Sequence, residues 1–232
     1  MFLMQYISGF DALTPRRRFQ GPRSDPVIPR PAAQWVATET IEAGRRRLFT
    51  GQQAVAAEII GQRQSRRGSQ DNGRVQLPST SGEGVDLSTL PGTTVLYVYP
   101  RMGRPDLPLL EGWDMTPGAR GCTPQSCGFR DLAEELAAAG AANLFGLSTQ
   151  DSDYQREAVE RLHLPFALLS DAQGQLTEAL GLPMFELNAT RFLKRLTLIL
   201  KAGQIEKVFY PVFPPDQNPR QVLAWLQAQR QG

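Results

Sequence analysis

The 232-residue chain is 41% hydrophobic and 21% charged, and its formal net charge is +2. This length and apolar content suffice for one domain with a buried core plus an extension, and the nearly balanced charge gives no indication of nucleic-acid binding. No stretch approaches the roughly 20 consecutive apolar residues of a membrane span, and two cysteines exclude a disulfide-rich secreted scaffold.

Residues 1–74 differ in composition from the rest of the chain. They contain twelve Arg, no Lys and six acidic residues, whereas residues 75–232 contain 13 basic and 17 acidic residues. An Arg- and Pro-rich stretch at 14–31 and a polar stretch at 61–73, which has few apolar residues to bury, predict a basic, largely disordered extension. Because few aromatic residues lie between its arginines, we do not expect a nucleic-acid-binding arm. The first 18 residues lack a basic n-region and a cleavage pattern, so we predict a cytoplasmic protein.

From residue 75 onward, strand and helix patterns alternate. Apolar, β-branched and aromatic runs predict strands at 93–99, 143–149, 165–170, 195–200 and 205–213. The first run is apolar almost throughout, which is typical of a strand buried on both faces of a sheet. The last two runs are separated by a short Gly-containing link, which indicates a hairpin.

Helices are predicted between these strands. The longest begins near Cys122 and ends at Gly140, and the next has Ser152 and Gln155 as a capping box. A short helix ends at Gly181, and a C-terminal helix is predicted to have Asn218 as its N-cap. This order of elements predicts an α/β domain with a thioredoxin-like fold, in which helices flank a central mixed β-sheet, over residues 75–232.

Cys122 and Cys127 are the only cysteines, and they lie at the predicted start of the first helix. A thiolate there faces unpaired backbone N–H groups and the positive end of the helix dipole, which favours a nucleophilic cysteine. Five residues of α-helix correspond to a rise of about 7.5 Å, whereas a disulfide needs Cα atoms within about 7 Å. The pair is therefore a poor permanent staple and a plausible redox switch that unwinds the helix start.

Two simpler interpretations of the cysteines stay open at this point. Both can be ordinary buried side chains, because free Cys packs as a small apolar residue. A zinc site is disfavoured, because two Cys and one His do not provide four protein ligands.

Several segments resemble the peroxiredoxins, most of all the bacterioferritin-comigratory protein (peroxiredoxin Q) group: YVYP, TPG, GCTPQSCGFRD, LPFALLSD and RLTLIL. The resemblance covers about residues 75–232. It implies a thiol peroxidase for hydrogen peroxide and organic hydroperoxides, with Cys122 peroxidatic, Cys127 resolving and Arg195 contacting the sulfur and the peroxide. It also implies a thioredoxin-type dithiol reductant. We further expect no metal, flavin or haem cofactor, no membrane partner, and a monomer or weak dimer.

The chain departs from the family pattern three residues before the peroxidatic cysteine. Relatives have Thr or Ser there, whereas this chain has Ala119, and Thr116 lies six residues before Cys122 as if three residues were inserted. The hydroxyl that binds the peroxide in relatives therefore has three candidate replacements: Thr116, Thr123, or backbone N–H groups alone. Gln125 stands where relatives often have Glu and is expected to orient an arginine.

The missing hydroxyl motivates a second hypothesis. The alternative is a thiol–disulfide oxidoreductase or redox sensor of thioredoxin fold without substantial peroxidase turnover. A third, non-enzymatic hypothesis is an interaction module that uses the basic extension. The peroxidase is the leading hypothesis, because it accounts for the cysteine spacing and for Arg195 together.

Overall fold

The computed structural model describes residues 75–231, so the predicted extension over 1–74 lies outside the described residues. Strands and helices alternate along the chain as predicted, and the first long helix contains both cysteines. In chain order the elements are β1 (Thr93–Val98), α1 (Cys122–Asp131), α2 (Ala133–Ala138), β2 (Ala141–Ser148), α3 (Ser152–Leu162), β3 (Leu168–Ser170), α4 (Gln175–Leu180), β4 (Met184–Leu187), β5 (Thr190–Leu193), β6 (Leu196–Lys201), β7 (Gln204–Phe209) and α5 (Asn218–Gln231). Two single-turn 3-10 helices, Trp113–Met115 and Pro215–Gln217, lie in the connections.

The central sheet is mixed and five-stranded, in the order β3-β2-β1-β6-β7. β1 pairs in parallel with β2 and antiparallel with β6, and β6 and β7 form the predicted hairpin. Strand β1 is therefore central, as its nearly continuous apolar sequence predicts. The sheet and its helices confirm the predicted thioredoxin-like class.

Each face of the sheet has its own apolar core, because successive side chains of a strand point to opposite faces. On β1, Val95 and Tyr97 join the core that contacts α1, α2, α3 and α5. Leu96 and Val98 join the opposite core, which contains α4 and residues of the 75–90 segment. The cysteine-bearing helix thus packs directly on the central strand. No helix among residues 75–231 has the length and apolarity needed to cross a membrane.

Two details of the predicted helices are wrong. The helix expected from Cys122 to Gly140 is interrupted at Leu132, whose φ of −109° separates α1 from α2. Helix α3 is capped by Asp151, whose carboxylate accepts a hydrogen bond from the Tyr154 N–H at 2.7 Å, so the Ser152 capping box does not form. The Gln155 side chain instead points into the core and donates to Ser148 Oγ and to the Leu169 carbonyl.

The predicted N-cap role of Asn218 is also wrong. The 3-10 turn Pro215–Gln217 runs directly into α5, so Asn218 already has helical backbone angles, with φ −58° and ψ −42°. Its side chain is fully buried and accepts hydrogen bonds from other elements instead of capping its own helix.

One hairpin lacks a counterpart among the predicted elements. Strands β4 and β5 pair antiparallel around a two-residue turn, Asn188-Ala189, in which both residues have positive φ. Such turns usually carry Gly at the second position, so Asn-Ala is a weak hairpin signal. Phe192 of this hairpin packs against Trp113 with ring centroids 5.1 Å apart, which ties the loop before α1 to the hairpin.

Candidate active site

Cys122 is the first residue of α1 and is 4% exposed. The preceding Gly121 has φ 100° and no side chain to cap the helix, so no side chain competes for the backbone N–H groups of the first turn. The Cys122 thiol donates to the Ala119 carbonyl at 3.6 Å. The sulfur therefore lies at the positive end of a helix, as the sequence predicts, in a largely dry position.

Arg195 lies immediately before β6 and reaches the sulfur from the central sheet. Its Nη2 atom lies 3.2 Å from Cys122 Sγ. The same nitrogen donates to the carbonyl oxygens of Gly118, Ala119 and Arg120 at 3.4, 3.4 and 2.9 Å. One guanidinium thus holds both the sulfur and the backbone loop before it.

The Arg195 guanidinium is a buried cation, since the residue is 4% exposed. None of the ion pairs formed among residues 75–231 includes it. A buried charge without a counterion is costly, and the thiolate form of Cys122 places a negative charge next to it. The arrangement is suited to nucleophilic attack by sulfur, with the guanidinium facing the reacting atoms.

A buried hydrogen-bond chain extends behind Arg195. Gln125 Oε1 accepts from Arg195 Nη1, and Gln125 Nε2 donates to Asn218 Oδ1 at 3.0 Å. Asn218 Oδ1 also accepts from Thr197 Oγ1 at 2.7 Å. We call Arg195, Gln125, Asn218 and Thr197 the buried network. The sequence indicates Gln125 as an orienting residue, whereas it gives no signal for Asn218 or Thr197 in this role.

The structure does not bring the predicted hydroxyl groups to the sulfur. Within residues 75–231, the hydrogen-bond partners of Cys122 Sγ are Ala119 and Arg195. The Thr116 hydroxyl donates to the Gly112 carbonyl at 2.9 Å in a partly exposed turn. Thr123 is half-buried at the second position of α1. The substrate-binding roles of both threonines therefore stay predictions.

Ala119, which replaces the family hydroxyl, has a packing role. It is fully buried in a small cluster with Trp113 and Phe192. Its methyl group faces aromatic rings, while its carbonyl oxygen faces Arg195 and Cys122. The side chain at position 119 is thus part of the core, while its backbone carbonyl faces the site.

Two tyrosines of the YVYP segment lie buried beneath the site. The Tyr97 hydroxyl donates to Ser126 Oγ on α1 at 3.0 Å, and the Tyr99 hydroxyl accepts from Gln155 Nε2 at 3.3 Å. Burial raises the pKa of Tyr97 and of Tyr99 well above the ordinary value. Both phenols are therefore neutral at physiological pH, and they add no charge beside the sulfur.

Cys127 lies on the same helix, five residues after Cys122, and is half-buried. Both thiols are free. Because α1 is continuous from Cys122 to Asp131, the rise of about 7.5 Å between the two positions prevents a disulfide in this form. No group of three or more His, Cys, Asp or Glu side chains among residues 75–231 is placed to hold a metal ion.

Helix α1 is held by two prolines that touch its glycines. A Cβ placed on Gly121 would lie 2.6 Å from Pro215 Cγ, and one placed on Gly128 would lie 2.9 Å from Pro219 Cγ. These close approaches are possible only because both positions lack a side chain. The 3-10 turn Pro215–Gln217 and the first turn of α5 therefore cover the helix that carries both cysteines.

We expect Gly121→Ala to destabilise the protein more than Gly118→Ala. Both glycines have positive φ, 100° and 82°, so each Ala costs about 1–2 kcal/mol in backbone strain. Only at Gly121 does the new methyl also collide with Pro215, whereas space around Gly118 is open; overpacking adds about 1–3 kcal/mol. Denaturant unfolding of the two variants measures the difference, and equal losses of unfolding free energy would contradict the proposed contact.

Comparison with known proteins identifies the family of the chain. Residues 66–224 match the Redoxin family model. Peroxiredoxin Bcp of Escherichia coli K12 is 34% identical over 158 residues, which cover 66% of this chain and 90% of that protein. The chloroplastic peroxiredoxin Q of Oryza sativa subsp. japonica is 28% identical over 221 residues, 93% of each chain.

Solved structures give the same result. Peroxidoxin BcpB from Mycobacterium tuberculosis superposes with a TM-score of 0.52 at 30% identity, covering 66% of this chain and 92% of that one. Xanthomonas campestris peroxiredoxin Q shares the fold, with a TM-score of 0.53 at 23% identity, over 66% of this chain and 90% of that one. The chain therefore belongs to the redoxin family as a peroxiredoxin of the Bcp and peroxiredoxin Q group, and it is a thiol peroxidase.

Proposed function

We propose that Cys122 is the peroxidatic cysteine and Cys127 the resolving cysteine of a peroxidase for hydrogen peroxide and organic hydroperoxides. A thioredoxin-type dithiol protein recycles the enzyme. The observation that carries the proposal is the 3.2 Å contact between Arg195 Nη2 and Cys122 Sγ in a buried position. It places the only sulfur at the start of α1 next to a cation that has no carboxylate partner among the described residues.

In the first step, the Cys122 thiolate attacks one oxygen of the peroxide. An S–O bond forms, the O–O bond breaks, and the leaving oxygen departs as water or an alcohol after taking a proton. Sulfur is oxidised to sulfenic acid and the peroxide is reduced. The guanidinium of Arg195 stabilises the negative charge that develops on the leaving oxygen. Backbone N–H groups in the first turn of α1 are the remaining donors at the same end of the helix.

In the second step, the Cys127 thiolate attacks the Cys122 sulfenic acid. A disulfide forms and water leaves. The intact helix keeps the two residues too far apart, so the start of α1 unwinds before this bond closes. The third step is thiol–disulfide exchange, in which an external dithiol reduces the bond and is itself oxidised.

Peroxide titration of the reduced protein tests these roles. One equivalent of hydrogen peroxide is expected to remove both free thiols and to give a Cys122–Cys127 disulfide detectable by peptide mass spectrometry. In Cys127→Ser, we expect the first step at the unchanged rate but an accumulating sulfenic acid, which a carbon-nucleophile trap labels at Cys122. A disulfide between two chains, or labelling at any other residue, would overturn the assignment of the resolving cysteine.

Steady-state turnover tests whether thioredoxin is the reductant of this peroxidase. With thioredoxin, its reductase and NADPH, we expect NADPH consumption that continues in proportion to added peroxide. A single stoichiometric burst followed by arrest would show that thioredoxin is not the reductant.

A further inference from the structure

We propose that Asn218 is a positioning residue that couples the C-terminal helix to the redox state of the cysteine pair. Through its hydrogen bond with Gln125, Asn218 stabilises the helical form of α1, in which both thiols are reduced, and it orients Arg195. This inference rests on the proposed Cys122–Cys127 cycle and assigns a role in that cycle to a residue that touches neither sulfur.

The contacts of Asn218 fix the orientation of Gln125. Asn218 Oδ1 accepts from Gln125 Nε2 at 3.0 Å, which turns Gln125 Oε1 toward Arg195 Nη1. Asn218, Gln125 and Thr197 are fully buried, so water does not compete for these bonds. Because an amide has distinct donor and acceptor ends, losing Asn218 leaves Gln125 free to rotate away from Arg195.

The hydrogen bond between Gln125 and Asn218 forms in the structure with both thiols reduced. Gln125 lies between Cys122 and Cys127, and any unwinding that brings the two cysteines within disulfide distance displaces it. The bond from Thr197 to Asn218 joins β6 to α5 and does not depend on α1. Disulfide formation therefore breaks the hydrogen bonds of Gln125 to Asn218 and Arg195, and it keeps the hydrogen bond from Thr197 to Asn218.

The start of α5 also packs against α1 next to this bond. A Cβ on Gly128 would lie 2.9 Å from Pro219 Cγ and 3.6 Å from the Asp216 carbonyl oxygen. Pro219 follows Asn218 directly, so the apolar contact and the hydrogen bond belong to one interface. The hydrogen bond is made only while α1 is helical at Gln125.

Two opposite effects on the catalytic cycle follow. By stabilising the helical form, Asn218 favours the dithiol over the disulfide and slows the closing of the disulfide. By orienting Gln125 and Arg195, it supports the reaction of Cys122 with peroxide. A residue that only contributed to global stability would not shift the dithiol–disulfide equilibrium.

The midpoint potential of the disulfide in the full chain tests the proposal, measured by equilibration with a glutathione or dithiothreitol buffer. In Asn218→Ala the dithiol loses one buried hydrogen bond that the disulfide form does not have. We expect the equilibrium constant to change about tenfold toward the disulfide, a shift of about 30 mV to more negative potential for this two-electron couple. The loss of the Thr197 bond affects both forms equally and cancels.

A double-mutant cycle isolates the Asn218–Gln125 pair. In the Gln125→Leu background, Asn218→Ala is expected to cause no further shift, because the bond is already absent. Thr177→Val is the matched control. Thr177 lies on α4, at the opposite face of the sheet, and its buried hydroxyl donates a hydrogen bond to Asp171 Oδ2 at 2.6 Å, which the substitution removes. We expect the wild-type potential for this control.

The rates provide a second readout. In Asn218→Ala, stopped-flow measurements are expected to show a slower reaction with peroxide and a faster closing of the disulfide. If this variant does not fold, Asn218→Ser, which removes the amide but keeps a small polar side chain, takes its place. An unchanged potential in a folded variant, or an equal shift in the Gln125→Leu background, overturns the role of Asn218. Absence of any Cys122–Cys127 disulfide in the wild type overturns the assignment of the pair as well.

Discussion

Replacing Cys122 with Ser is expected to abolish peroxide reduction. The thiolate is the nucleophile in this chemistry, whereas a serine hydroxyl is essentially unionised near neutral pH and does not attack the O–O bond. Ser differs from Cys by one atom, and its hydroxyl can donate to the Ala119 carbonyl, the present partner of the thiol. We therefore expect a folded protein without peroxidase turnover.

The measurement is a direct assay of peroxide loss with thioredoxin, its reductase and NADPH. Cys127→Ser is the control, because it should keep the first step and lose only disulfide formation within the chain. Peroxide-dependent turnover of Cys122→Ser above the background of free cysteine would show that the nucleophile has been misassigned.

Replacing Arg195 with Leu is expected to lower the rate constant for the reaction with peroxide by about 10²–10³-fold. That is the effect of removing one donor that stabilises charge in a transition state, and Arg195 also faces the attacking sulfur at 3.2 Å. The substitution leaves the carbonyl oxygens of Gly118, Ala119 and Arg120 without this donor. Some loss of stability is therefore expected, and thermal unfolding is measured alongside the rate.

Arg120→Ala is the matched control for Arg195. Arg120 is two residues before Cys122, but its side chain is 72% exposed and pairs with Asp114 at 3.5 Å. Its carbonyl oxygen, which contacts Arg195, is unaffected by the substitution. We expect a rate within about twofold of the wild type, since exposed ion pairs contribute little. A comparable loss in both variants would indicate a long-range effect of positive charge instead of a contact at the sulfur.

Much of the fold can be predicted from the sequence, because the clearest sequence patterns belong to the strands that form the centre of the sheet. The apolar run at 93–99 predicts the central strand, and the Gly-containing link after 195–200 predicts the β6–β7 hairpin. The interruption at Leu132 has no comparable local cause, since neither Pro nor Gly stands there. The helical pattern continues through it, and the break is visible only in the backbone angles of the folded chain.

In the candidate site, too, the features set by local sequence are predictable and the long-range contacts are not. The helix-start placement of Cys122 and its spacing from Cys127 follow from local pattern, and the family resemblance points to Arg195. The link between Gln125 and Asn218 joins positions 93 residues apart, which no pattern along the chain reveals. Asn218 also carries a misleading local signal, because Asn before Pro at the start of an apolar stripe is typical of an N-cap.

The contacts of Arg195 with the loop before Cys122 bear on how such chains are recognised from sequence. Its partners at 118, 119 and 120 are main-chain oxygens, which every amino acid provides. These contacts therefore do not constrain which side chains stand at 118, 119 and 120, but they do constrain the path of the backbone. That path depends on Gly118 and Gly121, both at positive φ. A search for this loop in homologues should therefore look for two glycines three residues apart instead of for a hydroxyl.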